Sequence, residues 1–232
     1  MRTLVVGDVH GCALELRHLI ALAKPERVVM VGDLFTKGPD PVGVWECIRD
    51  GGFEAVRGNH DERLLRIAAG QSLGDRPGRA CLRALRQADT AVVPWLRQLP
   101  LFHKVHGWMV VHAGMDPSGK RKRTTERMAL TMRTFPASNP HAPLWHQQYH
   151  GKRRVIFGHD ARRGLVRVER DGEPYLIGLD SGCVYGGALS GYLMQEDRIY
   201  QVPARRVYLA EGTTEEAQLD ASQPSASSTP GK

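Results

Sequence analysis

Five apolar runs in this chain end in the same manner. "TLVV", "RVVMV", "FEAV", "WMVV" and "RVIF" each pass into a polar cluster beside a glycine: "GDVHG" (7–11), "GDL" (32–34), "RGNHD" (57–61), "HAG" (112–114) and "GHD" (158–160). Short runs rich in β-branched residues read as buried strands. Between the first three, the spacing turns helical. "CALELRHLIALA", "DPVGVWECIRD" with Pro41 in its first turn, and "ERLLRIAAG" ended by Gly70 each predict a helix. Strand–helix alternation implies parallel strands joined by right-handed crossovers. Their carboxyl ends then share one edge of the sheet, where open α/β sheets bind ligands.

Beyond residue 70, "RACLRALRQ" and "TAVVPWLRQL" predict helices, and residues 116–150 read as irregular. "RVIFGHD", "PYLIGLDSG", "ALSGYLM" and "RIYQV" read as further strands. The expected fold is an α/β sandwich whose second sheet is mixed or antiparallel. One domain over residues 1–211 is expected, followed by a low-complexity polar tail over 212–232 predicted to be disordered.

The polar clusters supply carboxylate oxygen and imidazole nitrogen with no thiolate. Such donors suit manganese, cobalt, iron, zinc or nickel ions. An aspartate has two oxygens and can bridge two cations roughly 3.5–4 Å apart. Asp33 is the expected bridge, because its strand should lie between the other two. Asp8 and His10 would hold one ion, and Asn59, His112 and His159 the other. A two-cation centre of this type hydrolyses phosphoric esters and anhydrides. His60, beside Asn59, is the expected general acid, and Asp61 the expected catalytic neighbour. Arg57 is expected to hold a phosphate oxygen.

The formal net charge is +7, concentrated in "GKRKRTTER" (119–127) and "GKRRVIFGHDARRGLVRVER" (151–170). Basic surface favours an anionic partner such as a nucleotide, polyphosphate or nucleic acid. Cys12, Cys47, Cys81 and Cys183 form no CxxC pair and read as free thiols. No apolar stretch approaches the roughly 18 residues of a membrane span, and the first residues are not a secretory signal. A cytoplasmic protein is expected.

"GDVHG", "GDLFTKG", "RGNHD", "VHAG" and "FGHD", in this order over residues 3–202, resemble the calcineurin-like metallophosphoesterases. Their spacing is similar to that of the phosphoprotein-phosphatase branch. The resemblance implies a four-layer sandwich of two mixed β-sheets flanked by helices, with two divalent ions, manganese or cobalt foremost. Within the branch, "WLRQLPLF" and "LDSGCVYGGALSGY" look like the symmetrical diadenosine tetraphosphatases, where "LDTGCCWGG" is typical. "MRTF" resembles their "MRF" segment, whose phosphate-contacting arginine maps to Arg133. Asp61 also matches that group.

The second motif departs from the Ser/Thr phosphatase pattern "GDxVDRG". The aspartate that orients the catalytic histidine is replaced by Thr36, and the phosphate-binding arginine by Lys37. Lys37, Arg57 and Arg133 are the expected phosphate clamp. Tyr185 stands where that group has tryptophan and could stack on a base, although a core aromatic is the plainer reading. The chain is also shorter between "VHAG" and "FGHD". The expected activity is symmetrical cleavage of dinucleoside polyphosphates to nucleoside diphosphates. The alternatives are a Ser, Thr or Tyr phosphoprotein phosphatase, hydrolysis of RNA 5′ caps, and a basic nucleic-acid-binding module without catalysis.

Overall fold

The computed structural model describes residues 1–71 and 74–210. Its first sheet has the order β10-β9-β1-β2-β3. The strands are β1 (Thr3–Val6), β2 (Arg27–Met30), β3 (Glu54–Ala55), β9 (Ala188–Leu193) and β10 (Arg198–Pro203). β1 pairs parallel with β2 and β2 with β3, whereas β9 joins β1 antiparallel. β2 therefore lies between the other two N-terminal strands, as expected for the strand that leads to Asp33.

The second sheet has the order β4-β5-β6-β8-β7, from Phe102–Val105, Trp108–Val111, Arg154–Phe157, Glu173–Gly178 and Val166–Arg170 respectively. β5, β6 and β8 run parallel, and β4 and β7 pair antiparallel at the edges. The second sheet is thus mixed. β4 and β7 were not foreseen. β4 and β5 are joined through His106 and Gly107, both with positive φ. That backbone matches the twist of a two-residue hairpin.

The α-helices of the described residues are α1 (Ala13–Ala23), α2 (Pro41–Gly51), α3 (Asn59–Ala68), α4 (Arg76–Ala88), α5 (Val92–Gln98) and α6 (Glu126–Thr131). Asp40 caps α2 by accepting from Gly43 N, and Asp75 caps α4 by accepting from Gly78 N. α6 falls in the stretch expected to be irregular, where Thr125 accepts from Met128 N to start one and a half turns.

Alternation along the central strands explains their unbroken apolar runs. Leu4 and Val6 of β1 face the helices, while Val5 faces the opposite sheet. Val28 and Met30 of β2 repeat the first choice and Val29 the second. From the second sheet, Val110, Ile156 and Ile177 meet them in the middle layer. Its outer face is covered by Met132, Trp145 and Tyr149. A strand buried on both faces must be apolar throughout. The tail expected over residues 212–232 lies outside the described residues.

Candidate metal centre and active site

Each strand of the parallel sets delivers a polar side chain just past its carboxyl end. Asp8 and His10 follow β1, Asp33 follows β2, and Asn59 and His60 open α3 after β3. His112 follows β5 and His159 follows β6. The two sheets bring these ends together. One atom each from Asp8, His10 and Asp33 lie within 4.8 Å of one another, and so do atoms of Asp33, His112 and His159. Asp33 belongs to both groups.

The local backbone is bent to achieve this. His10, Asp33 and His159 have φ of 46°, 53° and 75°, in the left-handed region rarely used by non-glycine residues. Such residues cluster where a site over-determines its geometry. Two glycines make room for the carboxylates. A Cβ on Gly158 would collide with Asp8 Oδ1, and one on Gly58 with Asp33 Oδ1.

The donors fit cations. His112 Nδ1–H donates to Val31 O at 2.9 Å, which leaves Nε2 as a lone pair. Burial holds this imidazole neutral, its pKa lowered to about 4. Nε2 nevertheless faces Asn59 Oδ1 at 2.9 Å and Asp33 Oδ1 at 3.4 Å. Three acceptors converging without a hydrogen between them is the arrangement that a cation resolves. On the other side, His10 Nε2 lies 3.5 Å from Asp33 Oδ2. His159 Nε2 is buried without a hydrogen-bond partner, while its backbone N–H donates to Asp8.

The carboxylates give the same indication. Burial, with Asp180 and Asp33 close by, holds the Asp8 carboxyl well above the usual carboxylate range. Burial pushes Asp33 up to about 6, against the pull of Lys37. Anionic groups packed this closely out of water are stabilised by a bound positive charge.

Lys37, Arg133 and Tyr185 line the cleft around this centre. Lys37 Nζ donates to His10 Nε2 at 3.0 Å and lies 5.5 Å from the centroid of the Tyr185 ring. Arg133 lines the same cleft, with Nε 3.4 Å from Asp160 Oδ1. Together with His60 they border a cavity of about 620 Å³. The His60 and His10 rings meet edge to face at 5.1 Å. Burial, then Lys37, holds the His60 pKa well below its ordinary value.

Two expectations are corrected. Arg57 turns away from the cleft. Its guanidinium donates to Glu62 Oε2 at 3.0 Å and to the carbonyls of Arg97 and Leu99. It ties β3 to α3 and α5 and is not aimed at a phosphate. Asp61 is buried, and its carboxylate accepts from the backbone N–H groups of Gly58, Asp33 and Leu34. It caps α3 and braces the Asp33 loop, and both of its oxygens are engaged by backbone N–H groups rather than by His60. Thr36 takes that place, with Oγ1 2.9 Å from His60 Nδ1.

Asp180 escaped notice in the sequence. It follows β8 in "GLDSG", lines the cleft, is 7% exposed, and has its pKa raised to about 6 by burial. Its signal was present: a polar side chain two residues past a strand, as Asp8 is after β1 and His159 after β6.

A family profile described as calcineurin-like phosphoesterase matches residues 1–180. The chain belongs to the calcineurin-like phosphoesterases. Members of this family hydrolyse phosphoric esters and anhydrides with divalent ions, and this chain is such a hydrolase. A symmetrical bis(5′-nucleosyl)-tetraphosphatase of Nitrosomonas europaea is 26% identical over 275 aligned positions, covering 89% of this chain and 100% of the relative. The asymmetrical bis(5′-nucleosyl)-tetraphosphatase PrpE of Oceanobacillus iheyensis is 25% identical over 248 positions, covering 93% and 97%. A crystal structure of a presumed diadenosine tetraphosphatase superposes with a TM-score of 0.73 at 35% identity, covering 88% of this phosphoesterase and 93% of that chain. No helix among the described residues is long and apolar enough to cross a membrane.

Proposed function

We propose that this phosphoesterase cleaves dinucleoside polyphosphates, converting diadenosine tetraphosphate symmetrically into two ADP. The observation that carries this reading is the sharing of Asp33 by two donor groups at the floor of a cation-rimmed cleft. Asp8, His10 and Asp33 would hold one ion, and Asp33, Asn59, His112 and His159 the other. Manganese or cobalt suits hard oxygen combined with imidazole nitrogen. Bound there, the ions supply Lewis-acid polarisation of phosphoryl oxygens and neutralise their charge.

The remaining work falls to the protein. Lys37 and Arg133, which both line the cleft, bind and orient the phosphate chain. Thr36 holds the His60 ring through Nδ1, so that Nε2 gives its proton to the departing phosphate oxygen. Tyr185 offers an aromatic face beside Lys37 for a purine. Arg57 is engaged with Glu62 and takes no part in this clamp.

The test is a comparison of diadenosine tetraphosphate with a phosphothreonine peptide at equal manganese. Faster cleavage of the dinucleotide supports the reading. Rapid dephosphorylation of the peptide with an untouched dinucleotide overturns it.

A further inference from the structure

Residues 35–39 form a wall of a second cavity beside the catalytic cleft, about 630 Å³ in volume and mostly apolar. Lys37 lines both. On one side of this groove, α4 presents Pro77, Ala80 and Ala84. On the other, the segment after β10 presents Val207 and Tyr208. Val207 is 57% exposed, an unusual position for a large apolar side chain. The Tyr208 hydroxyl donates to buried Glu15 at 2.7 Å, which anchors that wall. Arg206 adds a second cation.

We propose that this groove binds one of the two nucleosides of a dinucleoside polyphosphate. The inference rests on the function proposed above. Such a substrate has a flat, largely apolar base at each end of an anionic chain. The catalytic cleft has polar walls and a single aromatic face, Tyr185, among its lining residues. A phosphate chain lying across the metal ligands and held by Lys37 has two exits. One passes Tyr185. The other passes the 35–39 loop into the groove, whose lining includes the cations Lys37 and Arg206. Apolar walls with a few fixed polar groups are the usual lining of a small-molecule site. The groove therefore selects substrates with a second nucleoside over monoesters.

Cys81 lies half-buried in the groove wall and reports occupancy. The probe is the β,γ-methylene analogue of diadenosine tetraphosphate, which resists cleavage at the central bridge. At ten times its dissociation constant, established by inhibition, it should slow alkylation of Cys81 about tenfold. Peptide mass spectrometry locates the label, with Cys47 outside the groove as the reference. Ala84→Trp, which fills the groove, should raise KM for diadenosine tetraphosphate about tenfold. An unchanged Cys81 rate under saturating analogue, with a normal KM in the variant, overturns the subsite while leaving the proposed activity standing. If the wild type neither cleaves nor binds the dinucleotide, the activity fails and the subsite with it. Cys81 protection that the analogue does not alter, and that deletion of residues 211–232 removes, would assign the groove to the chain's own C-terminal segment and overturn the proposal.

Discussion

Thr36 Oγ1 lies 2.9 Å from His60 Nδ1, so a neutral hydroxyl orients the histidine proposed above as general acid. Thr36 is itself buried, and water does not compete for the contact. Thr36→Val should lower kcat about 10- to 100-fold with little change in metal content, the usual cost of losing an orienting partner. Thr36→Asp should do something different. A carboxylate beside the ring favours the imidazolium, so the His60 pKa rises. A general acid works only while protonated. The alkaline limb of the pH–rate profile should therefore move up, by roughly one unit. A shift to lower pH would contradict the assigned role.

His60→Asn should lower turnover by about 10²–10⁴-fold. Metal content, read by elemental analysis, should stay at the wild-type value, because the ring lies beside the ligand set rather than within it. Turnover equal to wild type would remove His60 from the mechanism.

Asp33→Asn should lose both ions and activity together. The substitution removes the charge that two donor groups share and keeps the shape. Retention of two ions per chain would count against the bridging role.

Arg57→Ala should destabilise the fold without changing KM. The guanidinium makes three hydrogen bonds, to Glu62 and to the carbonyls of Arg97 and Leu99. Bonds from a charged donor contribute about 1.5–3 kcal/mol each at most, less where exposed, and a net loss of roughly 1–3 kcal/mol is expected from denaturant melts. A raised KM with unchanged stability would return Arg57 to the cleft.

These contrasts show what the sequence carried and where it fell short. The placement of Asp8, Asp33, His112 and His159 was legible because a buried strand has a readable apolar run and must end at the sheet edge. The order β1-β2-β3 followed from the crossovers. Side-chain direction was not legible. Arg57 is next to the site in sequence, yet Glu62, five residues on, draws it away. Asp61 stands among catalytic candidates, yet a carboxylate at the third helical position answers first to unpaired backbone N–H groups. Asp180 was passed over because its strand was read as running through it, whereas β8 ends at Gly178. The edge strand β7, "VRVER", has short apolar positions between charges and looked like basic surface.

Chromatography of the products formed from diadenosine tetraphosphate with manganese or cobalt tests the central claim most directly. The account predicts ADP as the nucleotide product, from attack at the middle of the phosphate chain. ATP and AMP in equal amounts would contradict symmetrical cleavage, and an intact dinucleotide would contradict the proposed activity itself.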